Sequence, residues 1–164
     1  MTLHIRPALD SDGPALATIM ALCFLEFPGC YFEAGENKDV QQPACTYLAA
    51  GGIYYVAVNA NGQVVGGAGL KRGKAAELAP IMADWEVSRV YVSPRAQGQG
   101  VGSKLLQALM EHVPASESRA CWSDTRFVGA HRFYQAAGFT QLDHQRALYD
   151  LSDSQEYAFS KSAS

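Results

Sequence analysis

The sequence predicts an α/β fold of the mixed (α+β) kind: a mostly antiparallel sheet carrying helices on both faces. Three observations lead there. Residues 53–59 are rich in β-branched and aromatic side chains, and Asn61-Gly62, the chemistry of a tight hairpin, turns the chain into a returning strand at 64–70. Residues 84–92 form another strand, which runs through Gly98, Gly100 and Gly102 into a helix; Val101, Leu105, Leu106, Leu109, Met110 and Val113 recur at helical spacing. A strand at 119–124 and a second helix follow, so that strand–helix–strand connection calls for a parallel pair. At 164 residues a single domain spanning 1–164 is expected, long enough to build a core without staples.

Taken in order, Leu3 and Ile5 share one face of a first strand, residues 3–7. Asp10, Ser11 and Asp12 are N-cap types and Pro14 suits a first turn, so a helix begins there with Leu16, Ile19, Met20, Cys23 and Phe24 as its buried stripe. Residues 24–45 are broken by Pro28, Gly29, Gly35 and Pro43. They set Glu26, Glu33, Glu36 and Asp39 against Lys38 alone, interleaved with Phe24, Phe27, Tyr31 and Phe32. This segment reads either as a solvated connection or as a flap over a substrate. Residues 43–50 suit a short helix ended by Gly51-Gly52. In the returning hairpin strand Gly66, Gly67 and Gly69 offer nothing to pack, which points to another group passing close to the backbone.

Residues 71–83 read as a loop. Pro94 ends the strand at 84–92, and Pro114 and Ala115 end the long helix. The helix at 128–137 carries Phe133 and Tyr134 and closes on Gly138; Phe139 opens a further strand. Residues 155–161 read as the last strand, an exposed edge through which a homodimer would form.

Composition narrows the function. A net charge of −3 lacks the basic footprint that a nucleic-acid partner demands. No apolar run approaches the roughly 20 residues of a membrane span. The first residues, Met1 to Arg6, lack the order of a signal peptide, so a cytoplasmic protein is expected. Cys23, Cys30, Cys45 and Cys121 show no Cys-x-x-Cys spacing and His4, His112, His131 and His144 are scattered; reduced thiols and no metal site are the expectation.

The informative stretch is 97–103. Alternating glycines between a strand and a helix allow positive φ and close approach, and free N–H groups at the helix start favour an anion, here read as a pyrophosphate. A Walker loop needs Lys then Ser or Thr after its last glycine, whereas Gly102 is followed by Ser103 and then Lys104. The dinucleotide fingerprint needs Gly-x-Gly-x-x-Gly, and Gly98-x-Gly100-x-Gly102 is one residue short. Gln97-x-x-Gly100-x-Gly102 resembles the acyl-CoA loop of the GNAT superfamily of N-acetyltransferases. Two further segments are similar to that family: Ala130, Phe133-Tyr134 and Ala137-Gly138-Phe139 after Asp124-Thr125, and Val64-Val65-Gly66-Gly67 in the hairpin.

The resemblance implies an N-acetyltransferase with acetyl-CoA as co-substrate, acting on an amine of a small molecule or, less readily, of a peptide or protein. It implies a sheet splayed at its centre, where the strand at 84–92 bulges away from its parallel neighbour and the pantetheine arm bonds main-chain groups near Tyr91 and Val92. The Val92 N–H would be the oxyanion donor. Gln97, Gly98, Gln99, Gly100, Val101, Gly102 and Ser103 would hold the pyrophosphate. Tyr134 would be the general acid at sulfur, and Glu86, six residues before Val92, the base, directly or through water. Alternation places Glu86 with Ser88, Val90 and Val92 unless a bulge breaks the phase. Asp84 is a substitute base, and Asp124 departs from the asparagine common in the family. The acidic 24–45 segment would suit a cationic amine; Arg72, Arg89 and Arg126 would instead suit a carboxylate. A non-catalytic acyl-CoA-binding module or sensor, and a nucleotide-binding protein using 98–102, are the competing readings.

Overall fold

The computed structural model describes residues 2–164. Its strands are β1 (Leu3–Pro7), β2 (Ile53–Asn59), β3 (Val64–Arg72), β4 (Trp85–Val92), β5 (Arg119–Asp124), β6 (Thr140–Ala147) and β7 (Gln155–Lys161). Its helices are α1 (Gly13–Phe24), α2 (Lys38–Gln41), α3 (Pro43–Ala49), α4 (Ala75–Leu78), α5 (Val101–His112) and α6 (Val128–Ala136). The strands make one seven-stranded sheet in the order β1-β2-β3-β4-β5-β7-β6. Every neighbouring pair is antiparallel except β4 and β5.

Apolar periodicity decides which helix covers which face. From α5, Val101, Leu105, Leu106 and Leu109 meet Leu70, Val87, Cys121 and Phe159 on one side of the sheet. From α1, Leu16 and Met20 join Val40, Tyr47, Tyr54 and Val56 on the other. Helices therefore lie on both faces, as the pattern predicts.

Three local expectations are corrected. Residues 71–83 are not a plain loop: β3 continues through Arg72, because Lys71 and Arg72 still face Glu86 and Trp85 across the ladder, and α4 follows. Asp12 does not cap α1 with its side chain; its carboxylate turns back to the Leu9 N–H at 2.8 Å and to Arg6. Nor is β7 an edge, since it lies between β5 and β6; the chain returns inside its predecessor, and the edges are β1 and β6. Among the described residues no helix is long and apolar enough to cross a membrane.

Two glycines of β3, Gly67 and Gly69, are explained by rings. An ideal Cβ on Gly67 would lie 2.5 Å from Cε1 of Tyr54, and one on Gly69 would lie 2.2 Å from Cε1 of Tyr47. The close-passing group is thus a pair of tyrosine side chains from β2 and α3.

Candidate active site

The site begins where β4 leaves its neighbours. It pairs with β5 only at Trp85–Arg119 and Glu86–Ala120, and beyond them the two strands part. On its other side β4 bulges: Gly67 faces Tyr91 and Gly69 faces Ser88, so Arg89 and Val90 stand opposite Ala68 alone. Arg89 takes φ +54° there. The bulge breaks simple alternation, so the shared face predicted for Glu86, Ser88, Val90 and Val92 does not persist. Past the bulge, Ser93 N–H donates to Val65 O at 2.8 Å. Antiparallel alternation then turns the Val92 N–H away from β3 and toward the parted side. The Val92 carbonyl accepts from Gln97 Nε2 at 3.0 Å and from the Cys23 thiol at 3.2 Å.

The glycine loop follows. Gly98 and Gly100 have φ of +74° and +78°, and nothing lies within 4 Å of a Cβ built on either. Gly100 is the N-cap of α5 and no side chain caps the helix. The first intrahelical bond runs from Lys104 N–H to Gly100 O, leaving the amides of Val101, Gly102 and Ser103 as free donors at the positive end of the helix.

These amides open on a cavity of about 510 Å³. Its walls include Tyr91, Val92, Gln97, Gly98, Gly100, Val101, Gly102 and Ser103, so all but one of the residues predicted to hold the co-substrate come together. The exception is Gln99, whose side chain turns back to Arg95 O at 3.1 Å and does not line the cavity. Free donors at one end and an apolar wall built from β4 and the ends of α1 and α6 fit a diphosphate carrying a long, thin arm. Ala130 and Phe133, part of the family-like segment, lie in the same wall, and so do Cys23 and Phe127, which sequence reasoning did not place there. Their apolar character is visible in the chain, but which face each presents depends on how α1 and α6 are set against the sheet. Cys23 is no nucleophile, because burial pushes its thiol up to about 11.

A second cavity, of about 280 Å³, lies against the first and is lined mostly by polar groups. Val90, Tyr91, Phe127, Ala130 and Tyr134 border both. Tyr134 is 5% exposed. Burial holds its pKa well above the ordinary phenol value, so it keeps its proton at neutral pH.

Glu86 lies in the second cavity and is itself buried. Burial is the largest influence and raises its pKa; Lys71, with Nζ 3.5 Å from Oε2, opposes that rise. The base predicted from the chain therefore shares a cavity with Tyr134. Asp84 does not: it is spent on the N–H and hydroxyl of Ser118 at the far end of β4.

Of the three arginines offered for a carboxylate, only Arg89 lines the second cavity. Arg72 lies over the Trp85 ring and pairs with Glu117. Arg126 is held by Asp124, at 2.9 Å and 2.7 Å. Burial works against the Asp124 carboxylate, yet the Arg126 bonds outweigh it and keep its pKa low. That pairing accounts for an acid at the end of β5. Trp122, Arg146 and Glu156 also line this cavity and escaped sequence reasoning, since they come from three separate strands. From the 24–45 segment, Asp39 borders the second cavity and Glu26 and Phe27 the first, while Tyr31 is exposed. All four cysteines are free, and among the described residues no group of three or more His, Cys, Asp or Glu could hold a metal ion.

Comparison with known proteins gives this geometry a lineage. The model of the GNAT acetyltransferase domain matches residues 50–141, more than half the chain, and spans β2 through the start of β6. A protein of Escherichia coli K12 described as the uncharacterised N-acetyltransferase YjgM is 25% identical over 140 residues, covering 81% of this chain and 79% of that one. In fold, a GNAT-family acetyltransferase of Staphylococcus aureus Mu50 superposes with a TM-score of 0.76 at 19% identity, covering 99% of this chain and 100% of its own. The acetyltransferase yncA of Salmonella typhimurium, solved with acetyl-CoA, superposes with a TM-score of 0.72 at 19% identity, covering 100% of this chain and 95% of its own. With the parted strands, the glycine loop and the matched domain together, the chain belongs to the GNAT family of acetyltransferases and is an acyltransferase.

Proposed function

We propose that this chain moves the acetyl group of acetyl-CoA to an amine of a small molecule by direct attack in a ternary complex. The observation that carries the reading is Tyr134: a buried phenol, held in its protonated form, in the wall that two cavities share. The co-substrate supplies an activated thioester. Amides of residues 98–103 bind its diphosphate, and parted β4 main chain orients its arm. The Val92 N–H donates to the thioester oxygen as charge develops there. Glu86 takes a proton from the amine nitrogen, directly or through one water, as nitrogen bonds to the carbonyl carbon. Tyr134 gives its proton to the sulfur as the carbon–sulfur bond breaks.

A second cavity of about 280 Å³ favours a small acceptor over a folded protein surface. It carries Asp39, Glu86, Asp124, Asp150 and Glu156 against Lys71, Arg89 and Arg146, an excess that suits a cationic amine. Four free thiols suit the reducing cytoplasm.

The test has two stages. Acetyl-CoA should raise the melting temperature, and an amine library should then release free CoA thiol from it. Stabilisation without thiol release for any amine would leave the non-catalytic acyl-CoA-binding module. Stabilisation by ATP and none by CoA would leave the nucleotide-binding reading.

A further inference from the structure

Arg89 breaks the ordinary rules of a strand. Its φ of +54° lies in the left-handed region that L-residues with long side chains seldom enter. Glycine would adopt it without strain, so the arginine side chain has to supply something in return. Nε donates to Asp39 Oδ2 at 2.8 Å, Nη1 to Asn37 Oδ1 at 3.0 Å, and Nη2 to Glu36 O at 3.4 Å. All three acceptors sit at the start of α2, and Asn37 is itself buried.

The same turn of chain is fastened from another direction. Tyr54 Oη donates to the Arg89 carbonyl at 2.9 Å, and Tyr47 Oη lies 2.8 Å from Ser88 Oγ. The two rings reach β4 only because Gly67 and Gly69 leave them room. None of these bonds is required by a straight strand. Together they fix a strand that bulges away from β3 at residues 89 and 90, rejoins it at Tyr91, and presents Val90, Tyr91 and Val92 to the larger cavity.

We infer that Arg89 is a positioning residue for acyl transfer: its guanidinium locks the bulge to α2 and thereby aims the Val92 amide across the parted strands. The inference rests on the acetyl-transfer reading above for its kinetic consequence, though not for its structural one. Arg89 acts through the backbone that follows it, while the diphosphate grip at residues 98–102 belongs to a different segment.

The experiment compares Arg89→Ala, Arg89→Lys and Asp39→Asn with the wild type. Arg89→Ala should lower kcat at least tenfold while the Kd for CoA changes less than threefold. Arg89→Lys, which keeps one charged bond to Asp39, should recover part of the loss. Asp39→Asn, which leaves the backbone residue in place, should lower kcat at least threefold, and adding it to Arg89→Ala should cost nothing more, because both break one clamp. In parallel, NMR amide resonances of residues 90–92 should move in Asp39→Asn while those of 98–102 stay. A kcat within twofold of wild type in Arg89→Ala, or unmoved 90–92 resonances, overturns the clamp; so does a kcat loss matched by an equal loss of CoA affinity. If the wild type itself releases no thiol with any amine, the transfer reading fails, and the resonances alone decide the clamp.

Discussion

In the proposed reaction, burial is the largest influence that would divide the proton traffic between Tyr134 and Glu86. A phenol raised above its usual pKa cannot serve as a base near neutrality, and a carboxyl raised above its own is a better base once ionised. Tyr134→Phe should lower kcat about a hundredfold and leave the KM for acetyl-CoA within about threefold, as expected for loss of a proton donor at one atom. For Glu86 the sign follows from its raised pKa. The folded state binds the proton more tightly than the unfolded state, so stability conferred by the neutral form is present below the unfolded pKa. It is lost as pH rises through the folded one. Activity runs the other way, rising as the carboxyl ionises, with an acid limb above the ordinary glutamate range. Glu86→Gln should abolish that limb in a pH profile of kcat and reduce the plateau. Tyr134, Glu86 and the glycine loop could be read from the chain because family spacing marks them. The Arg89 clamp could not, since periodicity cannot show a residue that breaks period, and its partners at 36–39 are fifty residues away.

Strands and helices emerged from the chain where side-chain pattern alone decides them. The hairpin, α5, β5 and α6 fall within about two residues of expectation. The failures came where a neighbour decides instead: β3 runs on because β4 still faces it, and β7 slips inside β6 because β5 offers a free partner. Gly69 belongs to this scale, being a strand weakness that lets a helix residue touch the next strand. Gly69→Ala would push a methyl group into the Tyr47 ring and should cost about 2 kcal/mol or more, read as a lowered midpoint in urea. The loop before α5 answers differently, because a Cβ at Gly98 meets nothing. Gly98→Ala should leave packing intact, strain a backbone at φ +74° by about 1–2 kcal/mol, and weaken CoA roughly tenfold by calorimetry.

Across the whole molecule, one sheet is in effect two. Strands β1 to β4 form one portion and β5, β7 and β6 the other, and among the described residues only two ladder pairs join them, beneath the shared cover of α5. A ligand that bonds the parted edge should therefore stabilise both portions at once. At a hundredfold excess over its Kd, acetyl-CoA should add about 2.7 kcal/mol, or roughly 5–10 °C in melting temperature for a chain of this length. Hydrogen exchange should show the added protection on both sides, in residues 87–92 and in 121–124.

The narrow β4–β5 join gives the co-substrate a second part in the proposed reaction. An arm of acetyl-CoA bonded along the parted edge would act as masonry, tying the two portions of the sheet together. Departure of the spent thiol would then loosen the building that its arrival had braced.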